Sequence, residues 1–305
     1  MKAGTAARAL ATAEDGGTAT RRIGILLMVL TGALYVGGDA TAKVLMRRYP
    51  VGEVVWGRFA FHLLLLLPLL AMRGGGFLRT QRPRLQLTRS LCQIGSTVFF
   101  FLAIAVLPLA TATTIAFAQP LLITILSVPI LGERVGPRRW AAVVAGFVGV
   151  VVIIRPVGVV QWAALLPLGT AAASAFYQIA TRLVARADPV QVSLFYTALG
   201  GAIVASLALP FFWQAPDPSG WALMALTGTL SGAGHFCIIH AYQRAPASVL
   251  APFTFMQLLW ATGLGFALFG DLPDGWTLLG ALIIVGSGLY VFYRESVLRG
   301  EARAS

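Results

Sequence analysis

The sequence predicts an all-α integral membrane protein: ten transmembrane helices arranged as two inverted-topology five-helix repeats. Three observations predict it. Apolar residues make up 58% of the 305 and charged residues 11%, against about 45–50% and about 25% in soluble domains. The apolar residues gather into ten runs, each near the ~20 residues a helix needs to cross a bilayer. Landmarks of the first half also recur in the second: Pro108, Gln119, Gly132 and Glu133 are matched by Pro246, Gln257, Gly270 and Asp271, each 138 residues on. Five spans per repeat is an odd number, so the second copy lies upside down relative to the first.

A mean hydropathy of +0.81 excludes a soluble enzyme, a disordered chain and a disulfide scaffold, because a folded soluble surface must offer polar groups to water. The net charge of +12 does not mark a nucleic-acid binder, since the cations sit between apolar runs rather than along one soluble face. Cys92 and Cys237 lie inside apolar runs without metal-ligand spacing and read as packed free thiols.

Along the chain, residues 1–22 are rich in Ala, Gly and Thr and read as an N-terminal tail. Thr20-Arg21-Arg22 before an apolar run is an anchor rather than a cleaved signal, because the run that follows is long enough to span. The runs are 23–46, 52–72, 90–107, 110–131, 138–154, 160–184, 190–213, 220–242, 246–269 and 275–293. They give a tail (1–22), a first repeat (23–155), a second repeat (156–294) and a C-terminal tail (295–305). Ten spans leave both ends on one side. That side collects Lys2, Arg8, Arg21 and Arg22, then Arg73, Arg79, Arg82, Arg84 and Arg89, then Arg134, Arg138 and Arg139. It also has Arg182, Arg186, Arg244, Arg294, Arg299 and Arg303, while the other side has Arg47, Arg48 and Arg155. The excess places both termini on the cytoplasmic side of the membrane.

A second alignment of the halves, offset by 139, matches Lys43 with Arg182 and Pro50-Val51 with Pro189-Val190. With Asp39-Ala-Thr-Ala-Lys43, Trp56-Gly-Arg58-Phe59, Leu107 to Pro120, Leu131-Gly-Glu-Arg134, Ala245 to Pro252 and Gly270-Asp271, the chain resembles the drug/metabolite transporter superfamily, of the ten-helix EamA type. The resemblance covers 23–294. It implies alternating-access movement of small metabolites across the bacterial inner membrane, often amino-acid export, with importers of S-adenosylmethionine and riboflavin also in the family. It implies no cofactor and no use of ATP, and no phosphate loop occurs in the sequence.

Ionisable groups inside spans are functional candidates because a charge at mid-membrane is costly. Asp39 and Lys43 share a face of span one. Counted from the shared loop, Asp39 lies ~10 Å deep and Arg58 on span two ~9 Å deep, at about 1.5 Å per residue. Two stacked pairs follow as an expectation, Asp39–Arg58 and Lys43–Glu53, serving either to lock the two spans or to gate and contact substrate. His62 reads as helix packing. His235 lies in a polar stripe with Thr227, Ser231 and Tyr242 on span eight, and such a stripe faces protein or water. Gln93 on span three, Tyr177 and Gln178 on span six, and the repeat mates Gln119 and Gln257 near Pro120 and Pro252 complete an expected central cavity, with Phe117, Tyr242 and Trp260 as aromatic walls. The alternative for these glutamines is interhelical stitching.

No catalytic residue and no metal site is expected: three histidines and two cysteines are scattered, without a nucleophile–base pair. The expected partners are a small-molecule substrate and the lipid bilayer, with no nucleic acid, for a chain acting as a monomer or a homodimer. The expected function is secondary export of an amino acid, aromatic or broad in range. The alternative is uptake of a nucleotide-like or vitamin-like metabolite.

Overall fold

The computed structural model describes residues 2–73, 79–133, 135–155, 162–184 and 187–304. Arg134, Arg186 and the join between the repeats at 156–161 lie outside them. The described chain is all helix, turn and loop: α1 (Lys2–Leu45), α2 (Val51–Arg73), α3 (Pro83–Val106), α4 (Leu109–Ala116), α5 (Gln119–Leu131) and α6 (Pro137–Ile154), then α7 (Leu165–Val184), α8 (Val190–Ala208), α9 (Pro218–Arg244), α10 (Ala247–Thr254), α11 (Met256–Phe269) and α12 (Gly275–Ala304). Among the described residues, nine helical stretches are long and apolar enough to cross a membrane. The tenth span is α7, of similar length, whose row of Thr170, Ser174, Tyr177, Gln178 and Thr181 lowers its hydropathy. The backbone of α1 is helical from Lys2, ahead of the membrane-crossing stretch Thr20–Leu45, in keeping with the alanine content of residues 1–22.

Prolines set several helix starts. Pro83, Pro137 and Pro218 stand in the first turns of α3, α6 and α9, where their missing N–H costs nothing. The start at Pro83 corrects the expected limit of the third span, residue 90. Arg89 therefore lies about 9 Å inside the helix, at ~1.5 Å per residue, rather than in a loop.

Spans four and nine are each broken in two. The first breaks between α4 and α5 at Phe117-Ala118, just before Pro120, and the second between α10 and α11 at Phe255, just after Pro252. A proline inside a span frees a carbonyl that would otherwise be bonded, which makes a midplane break affordable. The two breaks meet: the rings of Phe117 and Phe255, repeat mates, are 5.0 Å apart.

Both broken spans also end alike. Gly132 and Gly270 adopt left-handed φ values of 69° and 72°. The Gly132 and Glu133 N–H groups donate to Val128 and Ser127 carbonyls, and those of Gly270 and Asp271 to Phe266 and Gly265. This is a Schellman cap, and glycine serves it because it takes positive φ without strain. Each cap presents an acid, Glu133 or Asp271, at opposite ends of the bundle.

The largest buried cluster lies at the Lys43 end, where Ala42, Leu45, Ile104, Leu109 and Ala112 are at most 1% exposed. A second, around Ile115, Leu121, Val143 and Ile284, joins spans four, five, six and ten. Helices α6 and α12 pack on each other, away from the bundle centre.

Candidate functional site

A cavity of about 450 Å³ lies between the two repeats. It receives Tyr35 and Asp39 from α1, Arg58 from α2, Arg89, Gln93 and Thr97 from α3, Thr113 from α4, Phe117 at the break and Gln119 from α5. The second repeat supplies Thr170, Ser174, Tyr177, Gln178 and Thr181 from α7, Leu194 from α8, His235 and Tyr242 from α9, and Gln257 from α11. Neither α6 nor α12 contributes. Beyond the cavity toward Lys43 the buried cluster fills the bundle, whereas Gln178 and Tyr242 are exposed, so the cavity opens toward the side of the termini.

Of the residues expected here from sequence, Gln93, Phe117, Gln119, Tyr177, Gln178, His235, Tyr242 and Gln257 line the cavity. Trp260 does not. Gly32 lets α11 approach α1 so closely that a Cβ there would meet Gln257 Cγ at 3.0 Å and the Trp260 ring at 3.4 Å. The indole thus lies along α1 and stays 38% exposed.

Arg58 Nη1 donates to Asp39 Oδ1 at 2.8 Å, and both side chains are largely buried. The guanidinium also lies 5.4 Å from the Phe101 ring centre. Helix α9 comes close behind it: at Gly228 a Cβ would stand 3.0 Å from the Arg58 carbonyl and 2.5 Å from Phe61 Cβ. Small residues at such positions let helix backbones meet in a membrane.

The second expected pair is not formed. Lys43 Nζ donates to Asp271 Oδ2 at 3.2 Å and to the Leu107 carbonyl, at the end of α3, at 2.8 Å. Glu53 Oε2 accepts instead from the Gln214 backbone N–H at 3.1 Å. Depth alone put Lys43 and Glu53 level, but Lys43 turns toward the capped end of α11 and the negative end of the α3 dipole. The repeat-related pair, Arg182 with Glu133, stands at the opposite end at 3.6 Å.

His235 Nδ1 lies 2.9 Å from the Ser231 carbonyl, and its ring is 5.2 Å from both Tyr35 and His62. His62 is 3% exposed and packs against Gly232, matching its packing role. Among the described residues no group of three His, Cys, Asp or Glu could hold a metal ion.

Arg89 was missed. Read as a loop cation, it is 3% exposed and lines the cavity. It donates from Nε to Thr181 Oγ1 at 2.7 Å, from Nη1 to the Ser193 carbonyl and to Thr197 Oγ1 at 2.6 Å, and from Nη2 to Tyr177 Oη at 2.7 Å. The proline helix-start signal at Pro83 was the clue available in the sequence.

The cavity thus carries two arginines and one carboxylate, framed by aromatic rings and neutral donors, at the interface of inverted repeats. A chain 30% identical to this one over 88% of its length, and covered over 91% of its own, is an S-adenosylmethionine uptake transporter of Rickettsia prowazekii. A riboflavin transporter of Rhizobium johnstonii is 29% identical over 90% of this chain and 92% of its own. A crystal structure with 22% identity superposes with a TM-score of 0.62, covering 90% of this chain and 97% of the other, and supports the fold. The EamA-like transporter family model matches twice, over residues 22–155 and 161–293. With two copies of that unit forming ten spans around one polar cavity, the chain belongs to the EamA-like transporter family.

Proposed function

We propose that this multi-pass protein is a secondary transporter of the bacterial inner membrane, with cytoplasmic termini. Its cargo is a small metabolite that joins an amino-acid-like charged end to an aromatic or heteroaromatic body. S-adenosylmethionine, moved inward, is the first compound to test. The cavity carries this reading: about 450 Å³ falls in the ~300–1,000 Å³ range of sites that enclose drug-sized ligands. Asp39, Arg58 and Arg89 supply both signs of charge, and Phe117, Tyr177 and Tyr242 supply aromatic wall. The ion pairs Lys43–Asp271 and Arg182–Glu133, repeat mates at opposite ends, support alternating access: the first is shorter and more buried where the cavity is shut.

Export of an amino acid is the second reading. The presence of both charge signs favours it, although a free amino acid fills the cavity only in part.

The test is transport of labelled S-adenosylmethionine into proteoliposomes, beside labelled phenylalanine and leucine. Accumulation of S-adenosylmethionine above empty liposomes, with amino acids at background, supports the first reading. The reverse pattern replaces it with the second, and background for all of them overturns both.

A further inference from the structure

We infer that Arg89 and Tyr177 form an anion subsite at the termini-side end of the cavity, holding a carboxylate or phosphate ester on the carried metabolite; this rests on the substrate class proposed above. Arg89 is a guanidinium with no acidic partner among the described residues. Its four hydrogen bonds go to two threonine hydroxyls, a tyrosine hydroxyl and a backbone carbonyl, all neutral. A buried charge without a counter-charge is costly, and the four bonds hold its shape without neutralising it. They occupy four of the five N–H donors of a guanidinium, leaving one on Nη2.

That nitrogen is the one bonded to Tyr177 Oη. Because Tyr177 Oη accepts from Arg89, its own hydrogen is free to donate, and among the described residues it has no acceptor. Both residues line the cavity. One N–H and one O–H therefore stand side by side with an uncompensated positive charge, the donor set that anionic oxygens take up best. Gln93, one turn along α3 from Arg89, and Gln178, next to Tyr177, line the same end.

Asp39 is already paired with Arg58, whereas Arg89 has no acidic partner among the described residues, and both groups line one cavity. A molecule that is anionic at one end and cationic farther along can present its anion to Arg89 and its cation to Asp39. S-adenosylmethionine has a terminal carboxylate and an internal sulfonium.

The test uses ligand pairs differing in one anionic group, bound to the purified full chain in detergent: S-adenosylmethionine with its decarboxylated form, and riboflavin 5′-phosphate with riboflavin. The expected result is at least about tenfold tighter binding of the anionic member of one pair, corresponding to a single charge-assisted contact. The pair that responds tells carboxylate from phosphate. Arg89→Gln should abolish the preference and Arg89→Lys should retain part of it. If Arg89→Gln fails to fold, Tyr177→Phe, which leaves three of the four Arg89 bonds in place, should reduce the preference several-fold. Equal binding within both pairs in the wild type, or an unaltered preference in Tyr177→Phe, overturns the subsite. If none of the four compounds binds, the substrate class fails. Thermal stabilisation by acetate and by inorganic phosphate then decides the subsite alone: a shift diminished in Tyr177→Phe upholds it, and no shift overturns it.

Discussion

Lys43 and Asp271, 228 residues apart in the chain, meet at 3.2 Å. Their repeat mates, Arg182 and Glu133, meet at 3.6 Å at the other end of the bundle. The first pair has side-chain exposures of 14% and 34%, the second of 43% and 40%. One symmetry thus produces two closures of unequal tightness, as expected of a carrier resting with one end shut.

Breaking the tighter pair should let the shut end open more often. A partly exposed pair contributes up to about 1 kcal/mol, or roughly fivefold in the shut-to-open ratio. In a background with Cys92 and Cys237 replaced by serine, a cysteine at Gln119 should react several-fold faster with an impermeant maleimide from the Lys43 side once Lys43→Ala is added. Lys43→Asp combined with Asp271→Lys should slow it again. Equal rates in all three proteins would mean the pair does not close that end.

Arg58→Ala should be severely destabilising. It strands the buried Asp39 carboxylate, and breaking a buried pair from one side costs roughly 3–5 kcal/mol. Melting in detergent should fall sharply, and Asp39→Asn added to it should recover part of the loss. A normal melting temperature in the single mutant would show that the membrane interior tolerates the lone carboxylate.

Two glycines on span nine separate backbone strain from crowding. A Cβ would meet nothing within 4 Å at Gly270 or at Gly263. Gly270 has φ 72°, while Gly263 lies inside α11. Gly270→Ala should therefore cost about 1–2 kcal/mol, and Gly263→Ala should be neutral or gain up to about 1 kcal/mol. Equal effects would refute the role of the cap.

Acid should loosen the loop between α7 and α8. Burial alone would raise the pKa of Asp188, but hydrogen bonds from the Thr80 hydroxyl, the Gln81 N–H and the Gln86 amide outweigh it and bring it below the usual carboxylate value. A folded pKa below the unfolded value of about 3.9 means stability that is fully present above that pH and lost as pH falls through the folded value. The melting gap between wild type and Asp188→Asn should therefore be widest near neutrality and shrink as pH falls below about 4. A gap of the same size at neutral and at acid pH would contradict the assignment.

Much of this arrangement is legible in the sequence, for reasons particular to each part. The spans announce themselves because lipid tolerates almost nothing else at such length. Asp39 and Arg58 could be paired by depth because they flank one short loop, and Gln119 and Gln257 could both be assigned to the cavity because they are repeat mates beside the prolines that break spans four and nine. Lys43 misled because depth is only one coordinate: its partner came from the other repeat, around the helix axis rather than along it. Arg89 misled because a cation near the end of an apolar run looks like a loop residue until the proline start moves the helix boundary past it. The orientation of Trp260 depended on how closely Gly32 draws two helices together, which no single-sequence pattern encodes.

The breaks in spans four and nine turn each C-terminal half-helix into a lever. Helix α5 begins with Gln119 at the cavity and leads through Gly132 to Glu133 at one end of the bundle. Helix α11 carries Gln257 in its first turn and leads through Gly270 to Asp271 at the other end. Each rod, about 20 Å long at ~1.5 Å per residue, joins a residue at the cavity to one in an ion pair at the end of the bundle. In the transport cycle proposed above, a pull at the cavity is delivered to the membrane surface without a relay of side chains, and the two rods point in opposite directions.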